Sequence, residues 1–220
     1  MLIKNYIVSS SELMSKRYCR ENSNVGYIPS TLRCFVKELY NHPAFFFEST
    51  DIASLNHHEL DLKLCTIHQK LKPENYFYEA MKIRGNRGLV LNALEELRLS
   101  LDRTSINNLK LEDPNKAASL IELYNLYQTE DISDYSKLFF SVLERLKAGK
   151  YDSLLRNIKI TYLDVVEVVG YEKAFIELLE DKAKVTRFSC KGKDVDLSTV
   201  SCSSSITVNS SIRNTFRWMH

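Results

Sequence analysis

Short apolar runs and polar residues alternate near the N-terminus, and this pattern predicts a strand over Leu2–Val8. Ser9 opens a capping-box pattern, which predicts that a helix follows the strand. A second apolar run, Val25–Ile28, predicts another strand, and Ser30 is the predicted cap of a helix that a His-Pro pair ends. The chain is therefore expected to open as strand, helix, strand, helix.

The next hundred residues have the spacing of amphipathic helices. Asp113-Pro114 is typical of a helix start, and Gly149 follows the last apolar position as a helix stop. Residues from about 55 to 150 are therefore expected to form four helices. Two of the apolar stripes that carry this expectation are Leu60, Leu64, Ile67 and Leu71, and then Val90, Leu94, Leu97 and Leu101.

Strand signals return after the helices. Ile158–Tyr162 alternates, and Val165–Val169 is a nearly continuous β-branched run of the kind found in central strands. Glu172–Asp181 has helical spacing, and Val185–Phe188 has the composition of a strand. Strand, helix and strand in this order predict a βαβ unit of a parallel sheet.

The simplest assembly is an α/β fold, one parallel-sheet domain from residues 1–50 and 155–220, with an all-helical insertion over 51–154. Ile3–Val8 and Val165–Val169 are expected to lie in the same sheet and to run parallel. Ile206–Val208 predicts a last short strand, and a terminal helix is expected through Trp218. Because that helix reaches the chain end, the chain is expected to be a fragment of a longer protein.

Composition narrows the class of protein. Hydrophobic residues make up 44% and charged residues 26%, which is typical of a globular chain and excludes a disordered one. The net charge of +2 does not by itself indicate nucleic acid or an anionic membrane as partner. No apolar run is long enough to span a bilayer. The five cysteines are odd in number and form no Cys-x-x-Cys pair, so free thiols in a reducing, cytoplasmic setting are expected.

A group of potential metal ligands lies on one predicted helix. His57, Asp61, Cys65 and His68 fall near one side, but they span about 16 Å at the helical rise. Since metal–ligand bonds are about 2 Å long, one ion can contact at most two of these side chains. A polar helix flank is therefore the preferred interpretation, and neither a metal nor another cofactor is expected.

Two clusters of basic residues are candidates for phosphate contacts. The first comprises Lys16, Arg17 and Arg20 on one helix, and the second comprises Lys82 with Arg84 and Arg87, the arginines of a glycine-containing turn before a helix. Helix N-termini attract phosphate groups, so contact with the DNA backbone is one interpretation. The alternative is that both clusters are solvated charges. A phosphate-binding loop of the GxxxxGK[ST] type is absent from the sequence.

Paired acids occur once on a strongly apolar helix, at Glu95 and Glu96. Adjacent helical residues point about 100° apart and do not act on the same substrate atom. Glu95 is therefore expected to be a solvated side chain.

The strand run that ends at Val169-Gly170-Tyr171 lies where a nucleotide-binding protein would keep a magnesium-binding acid. An acid is missing at that point, because Val169 is the last apolar position and Glu172 lies beyond the glycine. The strand end is therefore interpreted as a core strand followed by a tight turn into a helix.

The order of these elements resembles the N-terminal helicase-like region of AddB/RexB-type helicase–nuclease subunits, which belong to the superfamily 1 helicase lineage and carry a PD-(D/E)XK nuclease domain. The resemblance covers most of the chain. The stretches that carry it are Tyr6–Leu13, Gly88–Leu101 with its Leu94-Glu95-Glu96-Leu97-Arg98 core, Leu120–Tyr127 with Asp134-Tyr135, Val165–Phe175, and Ser201–Trp218.

The resemblance implies a helicase 1A-like, P-loop-NTPase-like domain that lacks the phosphate-binding loop, and a role in DNA repair and recombination. Val169 stands where the family has an aspartate, and Tyr171 replaces its phenylalanine, so no catalytic residue is carried over. The expected function is that of a non-catalytic fragment, an inactive ATPase that binds DNA or a partner helicase–nuclease subunit and no membrane. The alternatives are a stand-alone protein–protein interaction module and a nucleotide-using enzyme, against which the missing loop weighs.

Overall fold

The computed structural model describes residues 4–22, 26–43, 57–101, 103–108, 111–130, 132–164 and 170–189. This part of the chain forms two compact units. The α/β unit takes its described residues from Met1–Ala53 and Lys137–Lys193, and the helical unit takes them from Ser54–Ser136. The predicted strand at Ile206–Val208 and the terminal helix fall outside the described residues.

A four-stranded, all-parallel sheet forms the centre of the α/β unit. In the described residues the strand order is β2-β1-β3-β4. The strands are β1 (Lys4–Ser9), β2 (Tyr27–Thr31), β3 (Ile158–Asp164) and β4 (Lys184–Ser189). The α/β class and the parallel βαβ unit are thus confirmed.

β1 lies between β2 and β3 in the sheet. β1 pairs with β3 from Lys4–Ile158 to Ser9–Leu163. The alternating segment Ile158–Tyr162, which precedes the β-branched run, therefore supplies one of the two central strands, β3. Val165–Val169, which was expected to lie in the same sheet as β1, falls outside the described residues.

Ten helices accompany these strands in the described residues. They are α1 (Glu12–Glu21), α2 (Leu32–Tyr40), α3 (His57–Lys70), α4 (Tyr78–Lys82), α5 (Arg84–Ser100), α6 (Arg103–Asn107), α7 (Pro114–Thr129), α8 (Tyr135–Lys147), α9 (Asp152–Leu155) and α10 (Gly170–Lys182). The short helices α4 and α6 were not expected from the sequence. None of the described helices has the length and apolarity needed to cross a bilayer.

Both predicted caps at the start of the chain are wrong by one or two residues. The N-cap of α1 is Ser11, because Ser9 still belongs to the β1 ladder, where it pairs with Thr31. Ser30 likewise remains in β2, and the hydroxyl of Thr31 accepts the N–H of Cys34 at 3.1 Å to cap α2. In each case strand pairing continues past the residue that the local pattern favoured.

Other local signals are confirmed. Asp113 caps α7 and accepts the N–H groups of Asn115 and Lys116, with Pro114 at the first helical position. Gly149 follows α8 with a φ of 75°, a conformation that favours glycine.

The predicted stripes supply most of the core of the helical unit, and Met81, Leu91, Ile106, Leu123 and Ile132 complete it. Its buried members are Leu64, Ile67, Leu71, Met81, Val90, Leu91, Leu94, Leu97, Ile106, Leu120, Leu123, Tyr124, Tyr127 and Ile132. The boundary of this unit lies at residue 136 rather than 154. Residues 137–154 belong to the α/β unit because their side chains pack there, as the ring of Phe139 does against Phe175 at 5.3 Å.

Candidate functional site

Parallel α/β sheets bind ligands outside the carboxyl ends of their strands, where the strand order reverses. In this sheet the reversal lies between β1 and β3. The turn that leaves β1 runs through Ser9, Ser10 and Ser11. The N–H of Ser11 donates to the Ser9 hydroxyl at 3.2 Å, and that hydroxyl donates to the Ser11 carbonyl. The Ser11 amide, which would face a phosphate in a nucleotide-binding loop, is therefore used inside the turn.

The strand-end motif is only partly described. Val169 lies outside the described residues. Gly170 begins α10 with a φ of 62°, which explains a glycine at that position. The Tyr171 ring packs against Phe140 in an edge-to-face contact at 4.9 Å. Tyr171 thus contributes to packing in the α/β unit.

The three predicted cations of α1 lie on its exposed surface. Lys16 pairs with Glu12 at 2.5 Å, and Arg17 pairs with Glu21 at 2.6 Å. Exposed pairs of this type contribute little to stability, because water and salt screen them. A phosphate group can therefore replace the carboxylate of either pair at small cost, and Arg20 adds a third exposed cation.

The second predicted cluster is engaged within the helical unit. Asp61 accepts from Arg84 at 3.1 Å and from Arg87 at 3.3 Å. Arg87 also contacts the Cys65 sulfur, and its side chain is only 12% exposed, whereas that of Arg84 is 72% exposed. The structure thus brings the helix with the potential metal ligands next to the basic turn, where the single carboxylate of Asp61 pairs with both arginines.

Two of those potential metal ligands have other contacts in the structure. Asp61 binds arginines, and the His68 ring packs on Tyr78 at 4.6 Å. In the described ranges no three His, Cys, Asp or Glu side chains are grouped in a way that would hold an ion.

Glu95 is buried, at 4% exposure, so its expected solvation is wrong. It accepts the backbone N–H of Tyr135 at 3.0 Å. A second buried acid, Asp134, accepts from the hydroxyls of Tyr127 and of Ser136. The signal in the sequence was that Glu95 follows the buried Leu91 by four residues and so shares its helix face.

A cleft of about 420 Å³ opens at the other end of the sheet, where β1 and β3 begin. Tyr6, Phe35 and Leu39 form part of its apolar wall. Burial, together with the hydrogen bond to the Glu38 carboxylate, raises the pKa of the Tyr6 hydroxyl. No sequence pattern indicated this cleft.

Charge is distributed unevenly between the two units. The described residues of the α/β unit carry sixteen Lys and Arg against ten Asp and Glu, a net charge of +6. Those of the helical unit carry nine against eleven, a net charge of −2. The nearly neutral total therefore conceals a basic α/β unit.

Comparison with known proteins adds no identification. No protein-family model matches the chain. No curated protein matches it significantly.

Proposed function

We propose that this chain is a non-catalytic, helicase-like module of a DNA repair or recombination helicase–nuclease, and that it binds DNA through its α/β unit. The observation that carries the proposal is the net charge of +6 on the described part of that unit, against −2 on the helical unit. Cations on one part of a protein surface neutralise phosphates and release condensed counterions, which drives binding to nucleic acid.

The turn after β1 supports a non-catalytic role. Triphosphate binding uses free backbone N–H groups, a lysine and a magnesium ligand. Here Ser9 and Ser11 satisfy each other, and the sequence has no phosphate-binding loop. Val169 and Tyr171 stand where the helicase–nuclease family that this chain resembles has an aspartate and a phenylalanine. Loss of that aspartate also favours a role without nucleotide chemistry.

The test is fluorescence anisotropy of the full chain with labelled single-stranded and duplex oligonucleotides at two salt concentrations. We expect a Kd of about 10⁻⁴–10⁻⁶ M that weakens with salt, as for non-specific complexes. The triple variant Lys16→Gln, Arg17→Gln, Arg20→Gln should weaken binding and flatten the salt dependence. The matched control replaces Lys63, Lys70 and Lys72 of the helical unit with glutamine and should leave the affinity unchanged.

Two results would overturn the proposal. One is the absence of binding to any oligonucleotide at low salt, which would favour the stand-alone interaction module. The other is an equal loss from the α1 variant and from the control, which would show that the charge separation does not direct binding.

The helical unit favours a second candidate role, docking of a partner helicase–nuclease subunit. Leu62 and Ile83 are 60% and 59% exposed, and they are the chain neighbours of the Asp61–Arg84 ion pair. Exposed apolar side chains rimmed by polar residues are typical of protein-interaction sites. The variant Leu62→Glu, Ile83→Glu should abolish co-elution with a co-expressed partner subunit, whereas the α1 variant should not.

A further inference from the structure

One face of the strand pair β3–β4 is largely open to solvent. Six residues share it, because side chains on a strand alternate between faces and the two strands pair in register. The β3–β4 face consists of Lys159 opposite Lys184, Thr161 opposite Thr186, and Leu163 opposite Phe188. Lys159, Lys184 and Thr186 are exposed, Phe188 is 46% exposed, Thr161 is half-buried and Leu163 is buried.

The opposite face of the same strands is a protein core. Ile158, Ile160 and Tyr162 point there and are buried. Arg187 extends from that side of β4 to form an ion pair with Glu180 of α10. The strand pair thus has one face that is covered except at the edge strand β4 and one face that is open except at Leu163, and the open part carries cations and hydroxyls.

The two lysines are the first unusual feature of the β3–β4 face. Lys159 and Lys184 are direct register partners on neighbouring strands, which lie about 4.8 Å apart in a sheet. Like charges placed opposite each other destabilise a sheet. In the described part of the chain neither lysine has a carboxylate in ion-pair contact. This arrangement is complementary to an anion that bridges both ammonium groups.

The second unusual feature of the β3–β4 face is the aromatic ring at its carboxyl end. The ring of Phe188 lies 5.6 Å from that of Tyr18 on α1, at an angle of 53°. Phe188 is four residues beyond Lys184, a distance of about 13 Å along the strand. That length corresponds to roughly four stacked nucleotides at 3.4 Å each.

We propose that the β3–β4 face binds single-stranded nucleic acid, with phosphates at Lys159 and Lys184 and a base stacked on Phe188. The inference rests on the DNA binding proposed above and specifies its site. Thr161 and Thr186 lie between the two ends and offer hydroxyl donors to the backbone. A single strand is favoured over a duplex because only unpaired bases can leave the stack and pack on an exposed aromatic ring.

The test measures binding of labelled dT oligonucleotides of increasing length, and of duplexes of equal length, to the full chain. We expect the single strands to bind more tightly. Loss of one stacking contact corresponds to about a 5- to 150-fold weaker affinity, so Phe188→Ala should weaken binding within this range and Phe188→Tyr should preserve it. Lys159→Gln with Lys184→Gln should reduce the slope of log K against log salt by about 1.4, or 0.7 for each phosphate.

Leu13→Ala is the matched control, since Leu13 is another exposed apolar side chain of the same unit. It should bind like the unaltered protein. If Phe188→Ala loses its native circular dichroism, Phe188→Leu replaces it, because leucine fills space without offering a flat ring. A Phe188→Leu variant that folds and binds like the unaltered protein would overturn the inference.

Failure of the site and failure of the function are distinguishable. If the α1 triple variant loses binding while the Lys159, Lys184 and Phe188 variants keep it, DNA binding stands and this face is not its site. If poly-glutamate competes as well as the oligonucleotide and Phe188→Ala has no effect, the face recognises acidic peptides and the inference is wrong. If no nucleic acid binds at all, both proposals fall.

Discussion

Glu95 on α5 accepts a hydrogen bond from the backbone N–H of Tyr135 at 3.0 Å, and it thereby joins α5 to the first turn of α8. Both residues are buried. The hydroxyls of Tyr127 and Ser136 donate to Asp134 beside this contact, and Arg98 donates to Ser136 at 3.2 Å. Polar groups from three helices therefore form a buried network, whose cost of desolvation is offset only while the partners remain in place.

This network predicts unequal effects for two adjacent acids. Glu95→Ala removes the acceptor of a buried N–H, so we expect the free energy of unfolding to fall by about 1–3 kcal/mol. Glu96→Ala is the control because Glu96 is exposed, and its effect should stay within about 0.5 kcal/mol. Urea unfolding followed by circular dichroism measures both. Equal losses would show that the contact to Tyr135 does not stabilise the helical unit.

The corrected cap of α2 gives a second prediction. Thr31→Ala removes the hydroxyl that accepts the Cys34 N–H, and this should lower the free energy of unfolding by about 0.5–2 kcal/mol. Thr31→Ser retains the acceptor and should lose much less. The measurement is again urea unfolding, and a serine variant as unstable as the alanine variant would assign the effect to the lost methyl group instead.

The raised pKa of Tyr6 predicts a loss of stability in alkali. The folded chain keeps the Tyr6 proton at a pH where the unfolded chain, with a pKa of about 10, has released it. The contribution of the protonated Tyr6 hydroxyl to the free energy of unfolding is therefore fully present below about pH 10. It is lost as the pH rises toward the pKa of the folded chain, by at most about 1.4 kcal/mol for each pH unit.

Chemical unfolding at several pH values between about 9 and 11 tests this dependence. Tyr6→Phe should lose less stability over that interval than the unaltered protein. The exposed Tyr76→Phe is the control and should follow the unaltered protein. Parallel curves for all three proteins would contradict the role assigned to burial of Tyr6.

The turn after β1 predicts that the chain does not bind ATP detectably. Ser9 and Ser11 use each other's hydrogen-bonding groups, and the sequence has no loop lysine to reach a phosphate. Isothermal titration calorimetry with magnesium and ATP should show no saturable heat. Micromolar, saturable binding would contradict this prediction and revive a nucleotide-using enzyme.

Local pattern was sufficient for the type and order of most elements. The strand before Ser9, the helix that begins at Asp113-Pro114 and the helix–strand pair at the end of the described chain all follow from residue spacing. Periods of two and of 3.6 distinguish strand from helix without knowledge of any distant contact. The α/β class and the parallel βαβ unit were accessible from the sequence for the same reason.

Only the tertiary structure decided which distant residues meet. Asp61 pairs with both Arg84 and Arg87, Glu95 lies in a buried network, and Lys159 stands beside Lys184. Each of these contacts depends on helix packing or on strand register. Both are determined by many side chains that lie far apart in the sequence. The sequence does not show whether a charged side chain contacts water, a carboxylate or another lysine. For this reason the basic turn was a candidate for phosphate contacts and Glu95 was expected to be solvated, and only the folded structure shows their partners.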